Sequence, residues 1–235
     1  MKIRSVKSVV DTISTVLVVL VAGVVLWKTL REPSNRQPPA RPAVEDVREL
    51  TIDVDRLEHV RGQGDVVLVE FADYECPFCA RHARDTAPAI KQLIDAGKLR
   101  HAFFNFPLTM HSNAQKAAEA AECAAKQGRF WEMHEQLFAD AAALTTPGLV
   151  RSAERISLDV SAFTECMDQG KSSGVVKTQV ELGRQLGVSA TPAFFVGRRS
   201  RDGSISLVKR INGALPFERF DEVINDVSDH QRASR

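Results

Sequence analysis

The stretch Val66–Cys79, VVLVEFADYECPFC, constrains this chain more than any other. Its first seven residues are apolar apart from Glu70, the pattern of a central strand buried on both faces. Two cysteines then follow with only Pro77 and Phe78 between them. Proline is tolerated at the first helical position, where its missing N–H would have no partner anyway. The strand is therefore expected to pass directly into a helix that opens at Cys76. That position faces unpaired N–H groups and the positive end of the helix dipole, which lowers a thiol pKa. Cys79 lies three residues on, so it shares the face and sits one turn deeper. An accessible attacking sulfur backed by a shielded resolving one is what thiol–disulfide exchange needs. Half a zinc site and two inert buried thiols are the other readings of C-x-x-C. A structural zinc site wants four ligands. The remaining cysteines, Cys123 and Cys166, stand singly, and no His pair has ligand spacing, so redox chemistry is favoured and no metal is expected.

The surrounding pattern is α/β. RELTIDVD alternates apolar and polar residues and reads as a strand from about Val47. Pro77 to about Ala96 has helical periodicity, and LRHAFFNF is a further strand, completing a βαβ unit. From Asn113 to Leu186 the chain reads as mostly helical, with Gly128, Gly170 and Gly187 at expected helix stops. PAFFVG and ISLVKRI flank an Asp202-Gly203 turn and form a hairpin, and a last helix starts near Pro216. Thr191-Pro192 precedes the strand PAFFVG. A proline there is awkward for a ladder, and a cis bond would let the chain turn; a trans proline at a strand start is the plainer alternative.

Before this domain, three basic residues (Lys2, Arg4, Lys7) precede an apolar segment, of which Val16 to Trp27 has no polar side chain. A span needs about 20 apolar residues and a signal h-region about 7–15. No small-x-small site follows Trp27, so residues 1–30 are expected to be an uncleaved signal anchor rather than a cleaved signal peptide. Residues 31–46 carry four prolines and read as an extended linker. The globular domain is then 47–235, with a helical insertion at about 109–187.

The formal charge of +1, from 31 basic and 30 acidic residues, gives no concentrated basic surface, so nucleic acid is not an expected partner. Aromatic residues are also too sparse for a base-stacking platform.

Taken together, C-x-x-C after a buried strand, a long helical block, a proline before the next strand, then a hairpin and a helix resemble the thioredoxin fold. VVLVEFADYECPFC, FPLTMHSNAQKAAEAAECA, FWEMHEQLF and GVSATPAFFVG are similar to the DsbA-like branch, in particular to its membrane-anchored bacterial members. The resemblance spans about Leu57 to Val227. It implies that Cys76 attacks and Cys79 resolves, with Pro77 and Phe78 between them meeting the substrate. It also implies that Pro192 is the cis-proline against the active site and that Thr191 offers backbone groups to a substrate strand. Glu70 matches an acidic residue beneath the site. In apolar surroundings its pKa would rise, and it could exchange protons with Cys79; an outward-facing strand carboxylate is the alternative.

In an oxidising compartment, two lone cysteines in one subdomain more often pair than not. Cys123 and Cys166 are therefore expected to form a structural disulfide. Closing a loop of about 44 residues would stabilise by roughly 4 kcal/mol. Two buried free thiols are the alternative. His82 is expected on the helix surface and His111 as a structural residue ahead of Asn113, which could cap the next helix. His59, His101, His134 and His230 show no partner pattern.

Direction of electron flow turns on the dipeptide. Oxidising DsbA members often carry His where Phe78 stands. Phe brings neither charge nor donor, so an intermediate potential is expected. Disulfide donation to reduced or misoxidised protein substrates is the favoured activity. A reductase or isomerase role, or a peptide-binding chaperone module with secondary redox chemistry, stays open. The fold implies no cofactor. It implies a membrane redox partner: a quinone-linked oxidase of DsbB or VKOR type, or a reductant donor in the other direction. A monomer is expected, single-pass in the cell membrane, with the catalytic domain on the periplasmic or extracytoplasmic side, because a cytosolic thiol pool would keep it reduced.

Overall fold

The computed structural model describes residues 20, 23, 27, 43–53, 57–140, 144–200 and 202–233. The chain divides into two units, Met1–Arg41 and Pro42–Arg235. In the first, Leu20, Gly23 and Trp27 are helical, and Leu20 and Trp27 are exposed. The rest of the expected anchor, and the expected linker up to residue 42, lie outside the described residues. Among the described residues no helix is long and apolar enough to cross a membrane.

The second unit is built on a five-stranded sheet: β1 (Val44–Asp53), β2 (Val66–Ala72), β3 (Leu99–Asn105), β4 (Ala193–Arg199) and β5 (Ser204–Asn212), in the order β1-β5-β4-β2-β3. Only β2 and β3 run parallel, with Glu70 opposite Phe103; the other pairs are antiparallel. The β2–β3 connection holds α1 (Pro77–Asp85) and α2 (Ala87–Asp95). Between β3 and β4 come α3 (Ala114–Ala125), α4 (Phe130–Ala139), α5 (Thr146–Arg155), α6 (Val160–Asp168) and α7 (Ser173–Gln185), and α8 (Phe217–Ala233) follows β5.

β2 is an interior strand, between β4 and β3, and all seven of its residues are buried. Its alternate side chains feed two cores, as a strand covered on both faces must. Val67, Val69 and Phe71 pack with Phe104, Phe195 and Leu207, and with Leu182 of α7. Val66 and Leu68 face the other way, onto Ile90 and Ile94 of α2 and Phe220 and Ile224 of α8. Close approach of α7 depends on Gly183, where a Cβ would lie 2.6 Å from the Phe106 ring and 3.1 Å from that of Phe71. The helical block has a third core, with Met133, Leu149 and Phe163 at its centre. A buried carboxylate ties this block to the sheet. Glu122 Oε1 of α3 accepts from Asn105 Nδ2 of β3 (2.7 Å), Gln179 Nε2 of α7 (2.9 Å) and, across a mutual contact of 2.8 Å, pairs with His59 Nε2.

Three local features differ from the sequence reading. The first strand begins at Val44, inside the stretch assigned to the linker, because Val44–Asp46 pair with β5 before a bulge that lies between Asp46 and Leu50. The helix expected from Pro77 to Ala96 is two helices. Pro88 has no N–H to donate and crowds the turn before it, and the chain breaks at Thr86, whose hydroxyl donates to Leu215 O at 2.9 Å. Asn113 stands at the α3 N-cap without a side-chain cap bond; its N–H and Nδ2 donate instead to the Glu75 carboxylate, at 2.6 and 3.3 Å.

Candidate active site

The strand-to-helix junction forms as its residue types dictate. Cys76 is the α1 N-cap with extended backbone (φ −74°, ψ 120°), and Pro77 opens the helix. The Cys76 N–H donates to Asp73 O at 3.1 Å, which fixes the turn; Cys76 itself is buried, 4% exposed, and is not the accessible sulfur that the spacing suggests. Cys76 Sγ lies 3.4 Å from Thr191 O, the residue preceding the cis Thr191–Pro192 bond. Cys79 is fully enclosed, with the Asp73 N–H directed at its Sγ from 3.5 Å. Both thiols are free. Cys76 and Cys79 thus meet Thr191, the residue before cis Pro192, from a strand start more than a hundred residues later.

The two sulfurs differ sharply. The Cys76 thiol is lowered to about 5, first by the hydrogen bond from Cys79, then by Thr191 and the N–H groups of Cys79 and Phe78, all working against burial. Cys79 is pushed well above the ordinary thiol range, first by burial and then by its bond to Cys76. One sulfur is therefore a stable thiolate and the other a proton-holding thiol, the division of labour that the spacing suggested. Thr191 Oγ1 is buried with no other hydrogen-bond partner among the described residues, so its hydroxyl is left to face the sulfurs, and this is how Thr191 lowers both thiols. Phe78 is 54% exposed, with the Arg81 guanidinium 5.2 Å from its ring, and gives the sulfur no polar group from its side chain.

Glu70 is buried beneath α1, and burial raises its pKa. It points to the α1–α2 side of the sheet, as Leu68 does, and its Oε2 is 2.9 Å from His101 Nε2. Its hydrogen bond is thus to His101, not to Cys79. His82 is not on the helix surface, as expected from sequence. It is 2% exposed, packed against the Phe194 and Phe220 rings, and held below its usual pKa mainly by burial. The α8 helix, which the local pattern around His82 could not reveal, covers that face. His59, His101 and His134 also have partners that spacing did not show: Glu122, Glu70 and the Tyr74 hydroxyl.

The sequence reading missed the acidic residues just before the cysteines. Asp73, its side chain wholly buried, accepts from Glu75 N (2.8 Å), Leu108 N (2.8 Å) and His111 Nδ1 (2.7 Å). Together with the Glu75–Asn113 bonds, this fastens the loop after β3 to the cysteine turn. Two carboxylates within three residues of a helix N-terminus, in ADYEC, were the available signal. Their partners, more than thirty residues away, were not.

Cys123 of α3 and Cys166 of α6 are joined, with S–S 2.04 Å and Cα–Cα 5.9 Å, and Ser172 Oγ lies 3.4 and 3.5 Å from the two sulfurs. The bond removes both from the set of ligands that a metal at Cys76 and Cys79 could use.

The Thioredoxin_4 family model, described as Thioredoxin, matches residues 58–225. Among curated proteins, the Na(+)/H(+) antiporter NhaA 3 of Salinispora tropica is 37% identical over 196 residues, 79% of this chain and 29% of that protein. NhaA 1 of Salinispora arenicola is 36% identical over 197 residues, again 79% of this chain and 29% of that protein. The chain spans less than a third of the length of these curated relatives. Among solved structures, alpha-DsbA1 of Wolbachia pipientis superposes with a TM-score of 0.64 at 22% identity, over 78% of this chain and 99% of that one. Oxidised BdbD of Bacillus subtilis gives 0.64 at 24% identity, over 77% and 98%. Both share the fold. The chain belongs to the Thioredoxin_4 family, and its second unit is a DsbA-like thioredoxin-fold domain.

Proposed function

We propose that this protein is a thiol:disulfide oxidoreductase that donates disulfides to extracytoplasmic proteins through Cys76 and Cys79. The observation that carries the reading is the asymmetry of the pair: a Cys76 thiol lowered to about 5 beside a Cys79 thiol driven the other way. At pH 7 a thiol of pKa about 5, against one near 9, stabilises the reduced form by roughly a factor of 100. A couple whose reduced form is stabilised is an oxidant.

A client thiolate attacks Cys76 Sγ of the oxidised pair; the Cys76–Cys79 bond breaks and a client–Cys76 disulfide forms. Cys79 departs as a thiolate and takes up a proton, as its raised pKa demands. A second client thiolate then attacks the client sulfur of the mixed disulfide. Cys76 leaves as the stable thiolate, the client has lost two electrons and the protein has gained them. Thr191, 3.4 Å from Cys76 Sγ through its carbonyl, would pair with a client strand, and exposed Phe78 would give that strand an apolar contact. Glu70, as a buried acid with a raised pKa, is the proposed proton source for Cys79, acting at a distance from it because its direct bond is to His101.

Re-oxidation would fall to a quinone-linked membrane protein of DsbB or VKOR type. Residues 1–30 would anchor the chain with the domain outside the cytoplasm, where oxidation persists. Antiport, in the names of the curated relatives, belongs to those proteins; the reading here concerns only the matched stretch. The test is equilibration with glutathione, paired with refolding of reduced and of scrambled ribonuclease. A potential more oxidising than about −200 mV, with oxidation of the reduced client, is expected; a potential near thioredoxin's, about −270 mV, would overturn donation.

A further inference from the structure

The pair CPFC lacks a basic group, yet a histidine reaches the cysteine turn from elsewhere in the fold. His111 sits on the loop between β3 and α3. Its Nδ1 is 2.7 Å from Asp73 Oδ2, with the His111 side chain 19% exposed and that of Asp73 at 0%. Asp73 is the residue whose carbonyl accepts the Cys76 N–H and whose own N–H points at Cys79 Sγ. The loop is tied to the cysteine turn at two further points. Leu108 N and Asn113 N, on either side of His111, donate to Asp73 and Glu75 at 2.8 and 2.6 Å.

We propose that His111 is a positioning residue for the exchange reaction: clamped by Asp73, it supplies from the β3–α3 loop the positive charge that favours the Cys76 thiolate. The charged groups facing it are Asp73, Glu75 and Cys76 itself, all on the β2–α1 turn, and although burial opposes its charging, these partners hold its pKa above the ordinary value. A fixed carboxylate beside an attacking thiolate would by itself disfavour that thiolate. The protonated imidazole offsets the Asp73 charge and keeps the turn open to a negative sulfur. Coupling of this kind is reciprocal: whatever His111 does for Cys76, the thiolate must do for His111. Reduction of the pair by two glutathione molecules, which leaves a dithiol and glutathione disulfide, should therefore draw an extra proton onto His111 in the pH range where it titrates.

This inference rests on the thiol-exchange reading, but its measurements read thiol and imidazole titration rather than client oxidation. If clients are untouched while the titrations behave as expected, the functional reading falls and this coupling stands. In wild-type protein, NMR titration of the His111 ring, assigned by its loss in His111→Gln, should give a higher pKa in the reduced than in the oxidised state. Equal values in the two states overturn the proposal. His111→Gln should lower the equilibrium constant for reduction by glutathione about three- to tenfold at pH 6, the size of one partly screened unit charge. At pH 9, where the wild-type imidazole is neutral, the two proteins should agree within about twofold. A loss that is the same at both pH values would make His111 a purely structural clamp and refute the assignment. His111→Lys keeps a charge across the whole range, so it should retain the wild-type constant at pH 6 and flatten its pH dependence. If His111→Gln fails to fold, this variant and the wild-type NMR comparison still decide.

Discussion

Removing Cys79 tests how the Cys76 thiolate is held. Among the groups that lower the Cys76 thiol, the Cys79 thiol comes first, ahead of Thr191 and the N–H groups of Cys79 and Phe78. A hydrogen bond to a charged acceptor contributes about 1.5–3 kcal/mol, and each 1.36 kcal/mol is one pKa unit. In Cys79→Ala the Cys76 midpoint should therefore rise by about one to two units from its value of about 5. At pH 7 the thiolate fraction would fall from about 99% to between roughly 50% and 90%. The assay is the rate of iodoacetamide alkylation against pH, read by mass. Cys76 is then the single free thiol, since Cys123 and Cys166 are bonded to each other. An unmoved midpoint would mean that the Cys79 thiol contributes nothing and that the other groups hold the charge. A midpoint at the ordinary thiol value of about 8.5 would mean that the backbone and Thr191 contribute nothing. Either result refutes the division of effects described above.

Acid should unfold this domain early. Burial keeps His82, His101 and His134 below their usual pKa, so the unfolded chain binds protons that the folded one refuses. Stability then falls as pH drops below about 6.5, by up to about 1.4 kcal/mol per pH unit for each of the three. His111 has the opposite sign, its stabilisation being present below about 6.5 and lost as pH rises through its raised value. Urea titrations between pH 4.5 and 8 would measure the net slope, and a flat profile would contradict the buried assignments. Replacing Cys123 and Cys166 by Ala should cost about 4 kcal/mol, for a separation of 43 residues, while leaving the Cys76 alkylation midpoint within a few tenths of a unit; thermal melting and the alkylation assay separate the two. Gly183→Ala should destabilise by about 1–3 kcal/mol through overpacking on Phe106, and a neutral result would show that α7 can shift.

How far the sequence carries is clearest at β2 and α1. Seven residues of apolar run, two cysteines and one proline suffice to place Cys76 at a helix start, because each of those preferences is local. Thr191-Pro192 and the Cys123–Cys166 bond come from the resemblance and from compartment chemistry, and the structure contains both. What escaped is non-local. His82 reads as a surface residue on α1 because nothing near it announces that α8 will cover that face. Asp73 and Glu75 look like solvated acids until the β3–α3 loop returns with Leu108, His111 and Asn113. Glu70 reads as a buried acid, but its partner does not show, since His101 lies on the neighbouring strand two residues from direct opposition, on the same face of the sheet. Pro88 could have been read from sequence as the end of one helix and the start of another.

Cys76 and Cys79 belong to the core of the helical block, packed with Tyr74, Phe103 and residues of α3 to α6, rather than to either core of the sheet. The strand pairing that aims the sulfurs and the apolar packing that encloses them therefore come from different parts of the molecule. Substitutions at Ala120, Met133 or Phe163 can change the polarity and tightness around the resolving thiol without disturbing the strand pairing that aims the attacking one. A lineage, or a designer, could therefore change how the resolving thiol is enclosed by redecorating the inserted helices alone, with the strand-to-helix junction left as it is.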